Sequence, residues 1–272
     1  MGRVRRGGGR RALRRAPQNL LSILYTATVR LTFYGTRGYV EESSRSHTGH
    51  SAFVLEAKGF RLLCDFGDNR KGLLSKIRPH AIFVSHAHPD HGWGLWEGTD
   101  LPVYASAVTH ELLRELPLLN RMVLEPREAV SIGPFRLEAH RTIHSIRCPA
   151  VGARIAIGSF TFVYSADVVA FEDPEAALRD ADFYLGDGST LTGSLVRRHR
   201  SGVLIGHTTV RAQLGWLARH GIVRAAFSHF GKGPIEMGDD ALREAIAKLA
   251  AANPPGCAVT VAHDGMEMEI GP

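Results

Sequence analysis

From residue 29 onward, apolar positions fall into short runs separated by turn residues, and the elements they predict change character along the chain. Residues 29–35, 51–57 and 60–67 are strand-like, and Lys58-Gly59 between the last two reads as the tight turn of a hairpin. Residues 81–85 form a continuous apolar run of the buried-strand type that stops at a group of histidines. Residues 106–116 read as a helix capped by Ser106, and 135–139, 152–157 and 160–165 read as strands. The second half predicts helices at 173–179, 210–220 and 239–252 alternating with strands at 182–185, 203–205 and 223–228; strands at 258–262 and 266–270 then close the chain as a hairpin. A hairpin-rich sheet followed by helix and sheet, occurring twice, predicts an α+β fold: a four-layer αββα sandwich with two sheets face to face and helices outside. No linker divides 29–272 and no short repeat is present, so one domain is expected there.

Composition narrows the class. With 272 residues, 44% of them hydrophobic, the chain can bury a substantial core. The longest apolar candidate for a membrane span, 20–29, is interrupted by Ser22, Tyr25, Thr26 and Thr28, well short of the roughly 20 apolar residues a span needs. A soluble protein is expected. The three cysteines, Cys64, Cys148 and Cys257, are widely spaced and odd in number, which suits neither a disulfide framework nor a cysteine-rich zinc site and fits a reducing cytoplasm.

The net charge of +6 suggests a nucleic-acid partner until it is located. Seven arginines and no acid lie in residues 1–15, which leaves 26 basic against 27 acidic residues in the remainder. The basic signal therefore belongs to a Gly/Arg-rich tail over 1–28, too poor in apolar residues to fold alone. That tail reads as a targeting segment, as a sequence-blind nucleic-acid arm, or as an over-extended start assignment, since Val29 opens the first patterned strand.

The strongest chemical signal is Ser85-His86-Ala87-His88-Pro89-Asp90-His91-Gly92, directly after the 81–85 strand. Imidazole nitrogens and carboxylate oxygens suit zinc, manganese and iron, and three histidines with one aspartate in six residues exceed what one tetrahedral ion takes from a single loop. Two ions are suggested: His86 and His88 point the same way in an extended segment, while Asp90 and His91 turn elsewhere as a helix begins. The alternative is a surface His-rich loop that picks up adventitious metal.

The HxHxDH pattern at a strand end resembles the signature of the metallo-β-lactamase superfamily, and the resemblance runs from about Val29 to the C-terminus. It implies three further ligands, each after a predicted strand: His144, Asp167 as the carboxylate shared by both ions, and His229. The implied first site is His86, His88 and His144 and the second Asp90, His91 and His229, with Asp167 bridging. For His144 and His229 the alternative is a polar loop residue, and for Asp167 a helix cap. Two neighbouring divalent ions, zinc or manganese with iron also acceptable to these ligands, would activate water, and Asp90 would orient it.

Ile205-Gly206-His207-Thr208-Thr209, 22 positions before His229 at its histidine, is similar to a block in the phosphodiesterase branch, which includes ribonuclease Z and cyclic-phosphate phosphodiesterases. The resemblance makes His207 a general acid for the leaving oxygen; the alternative is a capping residue without chemistry. Asp65 in Asp65-Phe66-Gly67 would support the metal loop, Asp187 would support the metals or make a turn, and Asp264-Gly265 is similar to the branch's closing turn. Lys232 is a candidate phosphate contact. Arg45, Ser46, His47 and Ser51 would face substrate or form an ordinary solvated loop.

Only 40 positions separate Asp167 from His207, which leaves little room for the long RNA-gripping arm of ribonuclease Z, and aspartate at 167 disfavours a lactamase. The expected activity is hydrolysis of a phosphodiester in a small molecule, cyclic nucleotide or short nucleic acid. A carboxylic (thio)ester or lactone hydrolase uses the same ligands, and a metal-binding regulatory or nucleic-acid-binding protein without turnover is the non-enzymatic alternative. Many members of the superfamily form dimers, so the resemblance admits a homodimer.

Overall fold

The computed structural model describes residues 28–253 and 256–271; the basic tail expected over 1–28 lies, but for its last residue, outside the described residues. The first sheet begins with strands β1 (Arg30–Gly35), β2 (Ala52–Ala57) and β3 (Phe60–Cys64), antiparallel to one another. Strands β4 (Ala81–Phe83), β5 (Thr99–Ala105) and β6 (Leu118–Val123) continue it in parallel, and β6 is its edge. Helices α1 (Leu74–Ile77), α2 (Pro89–Gly92) and α3 (Ala107–Leu112) make the crossovers. Ser106 caps α3 as expected, its hydroxyl accepting from Thr109 N at 3.2 Å.

The second sheet starts with the antiparallel strands β7 (Ala129–Ile132), β8 (Phe135–Ile143), β9 (Ala150–Ile157) and β10 (Phe160–Tyr164), with β11 (Ala170–Phe171) on the far side of β8. After helix α4 (Pro174–Leu178) comes β12 (Phe183–Asp187), parallel to β10. Strands β13 (Arg197–Arg198) and β14 (Leu204–Ile205) form a separate small hairpin, and helix α5 (Val210–Arg219) returns the chain to β15 (Arg224–Ser228), parallel to β12. Helices α6 (Lys232–Met237) and α7 (Asp239–Ala251) precede β16 (Ala258–Val261) and β17 (Glu267–Glu269).

The layers follow from strand alternation. Phe53 and Leu55 of β2 face the second sheet and join Phe33, Leu62, Leu137, Ile155 and Phe162 in the central core. Their neighbours Ala52 and Val54 face outward with Leu63, Ile82, Val84 and Leu113 beneath the first sheet's helices. Tyr184, Ala225 and Phe227 pack under Leu214, Leu217, Leu242 and Ile246 of α5 and α7. The result is the expected αββα sandwich. No helix among the described residues is long and apolar enough to cross a membrane.

One expectation fails. Residues 258–262 and 266–270 do not pair as a hairpin: β16 is parallel to β15 in the second sheet, and β17 is antiparallel to β1 in the first. The His263–Gly265 turn carries the chain between sheets because Asp264 is anchored elsewhere, accepting from Thr36 Oγ1 at 2.8 Å, Thr48 N at 2.9 Å and Gly49 N at 2.7 Å.

Candidate metal centre

The C-terminal ends of β4, β8, β10, β12 and β15 open on one rim of the sandwich, and the residues just beyond them converge. His86 and His88 follow β4 with α2 starting at Pro89, so His88 is still extended (φ −65°, ψ 151°) while Asp90 and His91 lie on the first helical turn. His144 follows β8, Asp167 follows β10 and His229 follows β15. Asp65, Ala166 and His229 all take φ between 51° and 58°, a left-handed conformation that costs a non-glycine residue about 1 kcal/mol or more. Three such residues around one point mean that the surrounding structure fixes the direction in which these strand ends turn.

All seven sequence-predicted ligands meet there, in two groups. His88 Nδ1 lies 2.9 Å from His86 Nε2 and 3.1 Å from His144 Nε2, while Asp167 Oδ2 is 3.5 Å from His86 Nε2 and 3.4 Å from His144 Nε2. In the second group His229 Nε2 is 3.0 Å from Asp90 Oδ2, and Asp167 Oδ1 is 3.1 Å from His91 Nε2 and 3.3 Å from His229 Nε2. Asp167 thus gives one oxygen to each group.

Hydrogen bonds behind the histidines assign their tautomers. Asp65 Oδ2 holds His91 Nδ1 at 2.8 Å, the Gly206 carbonyl holds His144 Nδ1 at 3.0 Å, Ser189 Oγ holds His229 Nδ1 at 2.9 Å, and Ser85 Oγ holds His86 Nδ1 at 3.0 Å. Each leaves Nε2 as an inward lone pair, the arrangement that metal-ligating histidines use. Buried nitrogen lone pairs at such distances repel unless a cation lies between them, and His91 Nε2 and Asp167 Oδ1 are buried without a hydrogen-bond partner. The donors lie close enough for His86, His88, His144 and Asp167 to hold one divalent cation and Asp90, His91 and His229 another, and a further overlapping set, Asp167, Asp187, His207 and His229, shares two of these residues.

The buried carboxylates divide the histidines into two kinds, those that keep a free lone pair and those whose Nε2 proton a cation would displace. Burial drives His86 well below the ordinary imidazole range and His88 down to about 4. Against burial, which opposes charge, Asp167, Asp90 and Asp65 lift His91 well above that range, and Asp167 with Asp187 and Asp90 lifts His229 up to about 10. Asp90 and Asp167 are held far below the usual carboxylate range, the neighbouring histidines outweighing their burial.

Two supporting carboxylates complete the centre. Asp65, fully buried, accepts from Ser85 N at 2.7 Å and Tyr164 Oη at 2.7 Å as well as from His91, and so locks the loop that carries the first ligands. Asp187 is more than a turn residue: its Oδ2 accepts from His207 Nδ1 at 2.8 Å and its Oδ1 from Ser189 Oγ at 2.6 Å. His207 stands beside His144 and His229, with ring centroids 4.9 and 5.5 Å away, and lines a cavity of about 720 Å³ whose floor includes His88, Asp90, His144, Asp167 and His229. Asp187 raises His207 above the ordinary imidazole range despite burial.

Other candidates fall elsewhere. Lys232 lines the cavity but binds Glu42 Oε1 at 2.6 Å and lies 3.5 Å from Glu236 Oε1, so it is not a free cation. His47 is buried, bonded to Thr36 Oγ1 at 2.8 Å and packed on Phe230, and none of Arg45, Ser46, His47 and Ser51 lines the cavity. The Asp167–His207 interval holds α4, β12 and the β13–β14 hairpin, whose Arg197, Arg198 and Arg200 are exposed. Sequence reasoning missed Ser189, a lone hydroxyl with no motif; Gly38, the last residue of the Gly35-Thr36-Arg37-Gly38 segment that resembles the branch's opening turn, lies so close to the His229 ring that a Cβ there would sit 3.0 Å from Cε1.

Comparison with known proteins identifies the family and the fold. The Beta-lactamase superfamily domain matches residues 68–230, more than half of the chain. The probable metallo-hydrolase YhfI of Bacillus subtilis (strain 168) is 26% identical over 176 residues, which cover 53% of this chain and 70% of that protein. The crystal structure of the Bacillus subtilis protein YhfI superposes with a TM-score of 0.70 at 20% identity, covering 89% of this chain and 99% of the other. A diphosphatase from the PhnP family gives 0.65 at 18% identity (90% and 98% covered), and the short form of human tRNase Z gives 0.61 at 20% (89% and 99% covered). At these identities the solved structures share the fold, and the match over residues 68–230 decides the family: this chain belongs to the metallo-β-lactamase superfamily of metal-dependent hydrolases.

Proposed function

We propose that this protein hydrolyses a phosphodiester in a small molecule or short nucleic acid, with His86, His88, His144, Asp90, His91, His229 and the shared Asp167 holding two divalent cations, zinc or manganese. The observation that carries this reading is the Asp187–His207 pair. An imidazole whose Nδ1 is held at 2.8 Å by a buried carboxylate, and whose ring lies against His144 and His229 on the cavity wall, has its Nε2 left to give a proton to an oxygen bound at the centre.

Bound cations supply Lewis acidity that lowers the pKa of water toward about 7 and charge that neutralises phosphoryl oxygens. The chain's own residues do the rest. Asp90, with Oδ2 directed at His229, keeps Oδ1 to orient the attacking water. As the new oxygen–phosphorus bond forms, the attacking water gives up a proton to solvent; as the bond to the leaving oxygen breaks, His207, held as imidazolium by Asp187 until then, passes its Nε2 proton to that oxygen and is afterwards reprotonated from solvent. Carboxylic ester or lactone hydrolysis needs less help at the leaving group, which makes His207 the discriminating residue. The diphosphatase and tRNase Z neighbours support phosphate chemistry at the level of their fold. The three free cysteines support a reducing compartment, the cytoplasm.

The test is turnover of bis(p-nitrophenyl) phosphate and of an alkyl p-nitrophenyl phosphate by zinc- or manganese-loaded protein. Asp90→Ala should abolish both. His207→Ala should keep its metal content and lose about 10²–10⁴ in rate on diesters with a poor leaving group, and less on p-nitrophenolate release. Hydrolysis of carboxylic esters with none of phosphodiesters, or a His207→Ala protein as active as wild type on poor leaving groups, would overturn the reading.

A further inference from the structure

We infer that the substrate carries an uncharged aromatic group, and that Tyr39 is the surface that recognises it. This rests on the cavity being the active site of the reading above, and extends it to the part of the substrate that does not react.

Tyr39 lines the cavity and is 65% exposed, so a face of its ring is open to a ligand. It is nonetheless fixed. Its ring rests on the His50 ring (centroids 5.7 Å apart), and His50 is itself tied down, its Nδ1 bonded to Asp68 and its backbone N donating to Asn69 Oδ1 at 2.7 Å. The backbone on either side is pinned too: Gly38 N donates to the Phe230 carbonyl at 3.0 Å, and Arg37 Nη1 donates to the Val40 carbonyl at 2.7 Å. An aromatic face held in place at a cavity mouth loses little conformational entropy when a second ring stacks on it.

The rest of the wall selects charge. Val40, Leu195, Pro89 and Pro234 add apolar surface, and Leu195 is itself 42% exposed. Among the described lining residues Lys232 is the only lysine or arginine, and Glu42 and Glu236 already engage it. A second phosphate away from the metal centre would be desolvated there without a free cation to pair with. The ligand class that fits is one anionic reacting group attached to an aryl or heteroaromatic ring, rather than a polyanion.

Equilibrium binding to the metal-loaded protein tests this without requiring turnover, using phenylphosphonate against methylphosphonate and benzoate against acetate. The phenyl member of at least one pair should bind about 5-fold or more tightly than its methyl partner, a preference that falls below about twofold in Tyr39→Ala and survives in Tyr39→Phe. Equal binding of phenyl and methyl members by wild type, a preference that persists in Tyr39→Ala, or binding of none of the four would overturn the inference. Failure of the phosphodiesterase reading appears separately, as no turnover of bis(p-nitrophenyl) phosphate by wild type.

Discussion

Asp187 holds His207 by a 2.8 Å bond from Nδ1 to Oδ2, and its other oxygen fixes Ser189, whose hydroxyl holds His229. One buried carboxylate therefore sets the tautomer of two histidines with different assigned tasks, proton donation and metal ligation. Asp187→Asn keeps the shape but removes the charge. It should lower kcat/KM for a phosphodiester by about 10–100-fold and weaken the cation held by His229, whereas His207→Ala should affect rate alone. Parallel kinetics and elemental analysis of the two variants separate these effects.

Gly38 lies beside the His229 ring, on the segment where Phe230 N donates to the Thr36 carbonyl at 2.8 Å. A methyl at position 38 would press on Cε1 and Nε2 of the ring, at 3.0 and 3.1 Å. Gly38→Ala should reduce metal retention after dialysis by about tenfold at the His229 group and leave the His86–His88–His144 group loaded, measured as metal equivalents per chain.

Asp65 gathers Ser85, His91 and Tyr164 at full burial. Tyr164→Phe removes one of these bonds and should cost about 1–2 kcal/mol of unfolding free energy, whereas Asp65→Ala strands several donors and should cost about 3–5 kcal/mol. Urea denaturation checks the order and the sizes.

Asp264 ties the last inter-sheet crossing to Thr36, Thr48 and Gly49. Asp264→Ala should destabilise the protein by about 1–3 kcal/mol and speed amide exchange over residues 36–50, with slower exchange retained in the central strands.

Much of this was legible in the sequence because the ligands sit where pattern is strongest. The apolar runs that make β4, β10 and β15 lead to His86, Asp167 and His229, and burial on both faces keeps those runs almost unbroken, whereas β8, before His144, alternates buried Phe135, Leu137 and Ala139 with Arg136 and Glu138. Strands β5 and β6 were not foreseen. Pro102 and Asp100 interrupt the first, and the second is an edge strand with Leu119, Met122 and Val123 exposed among polar residues, so neither shows a clean period. The closing hairpin was misread because Asp264-Gly265 supplies the same turn signal whether the next strand pairs with its predecessor or crosses to the other sheet; the choice is made by distant partners such as Thr36. Ser189 and Tyr39 carry no local motif, and their surroundings arise only on folding.

The central claim is that these seven side chains hold two cations through a shared Asp167. Metal content of the purified, zinc- or manganese-loaded protein tests it most directly, with Asp167→Ala and His144→Ala beside wild type. The expected result is about two equivalents in wild type, about one in His144→Ala and loss of tight binding at both groups in Asp167→Ala. A wild-type content of one or none, or two equivalents retained by Asp167→Ala, would contradict it.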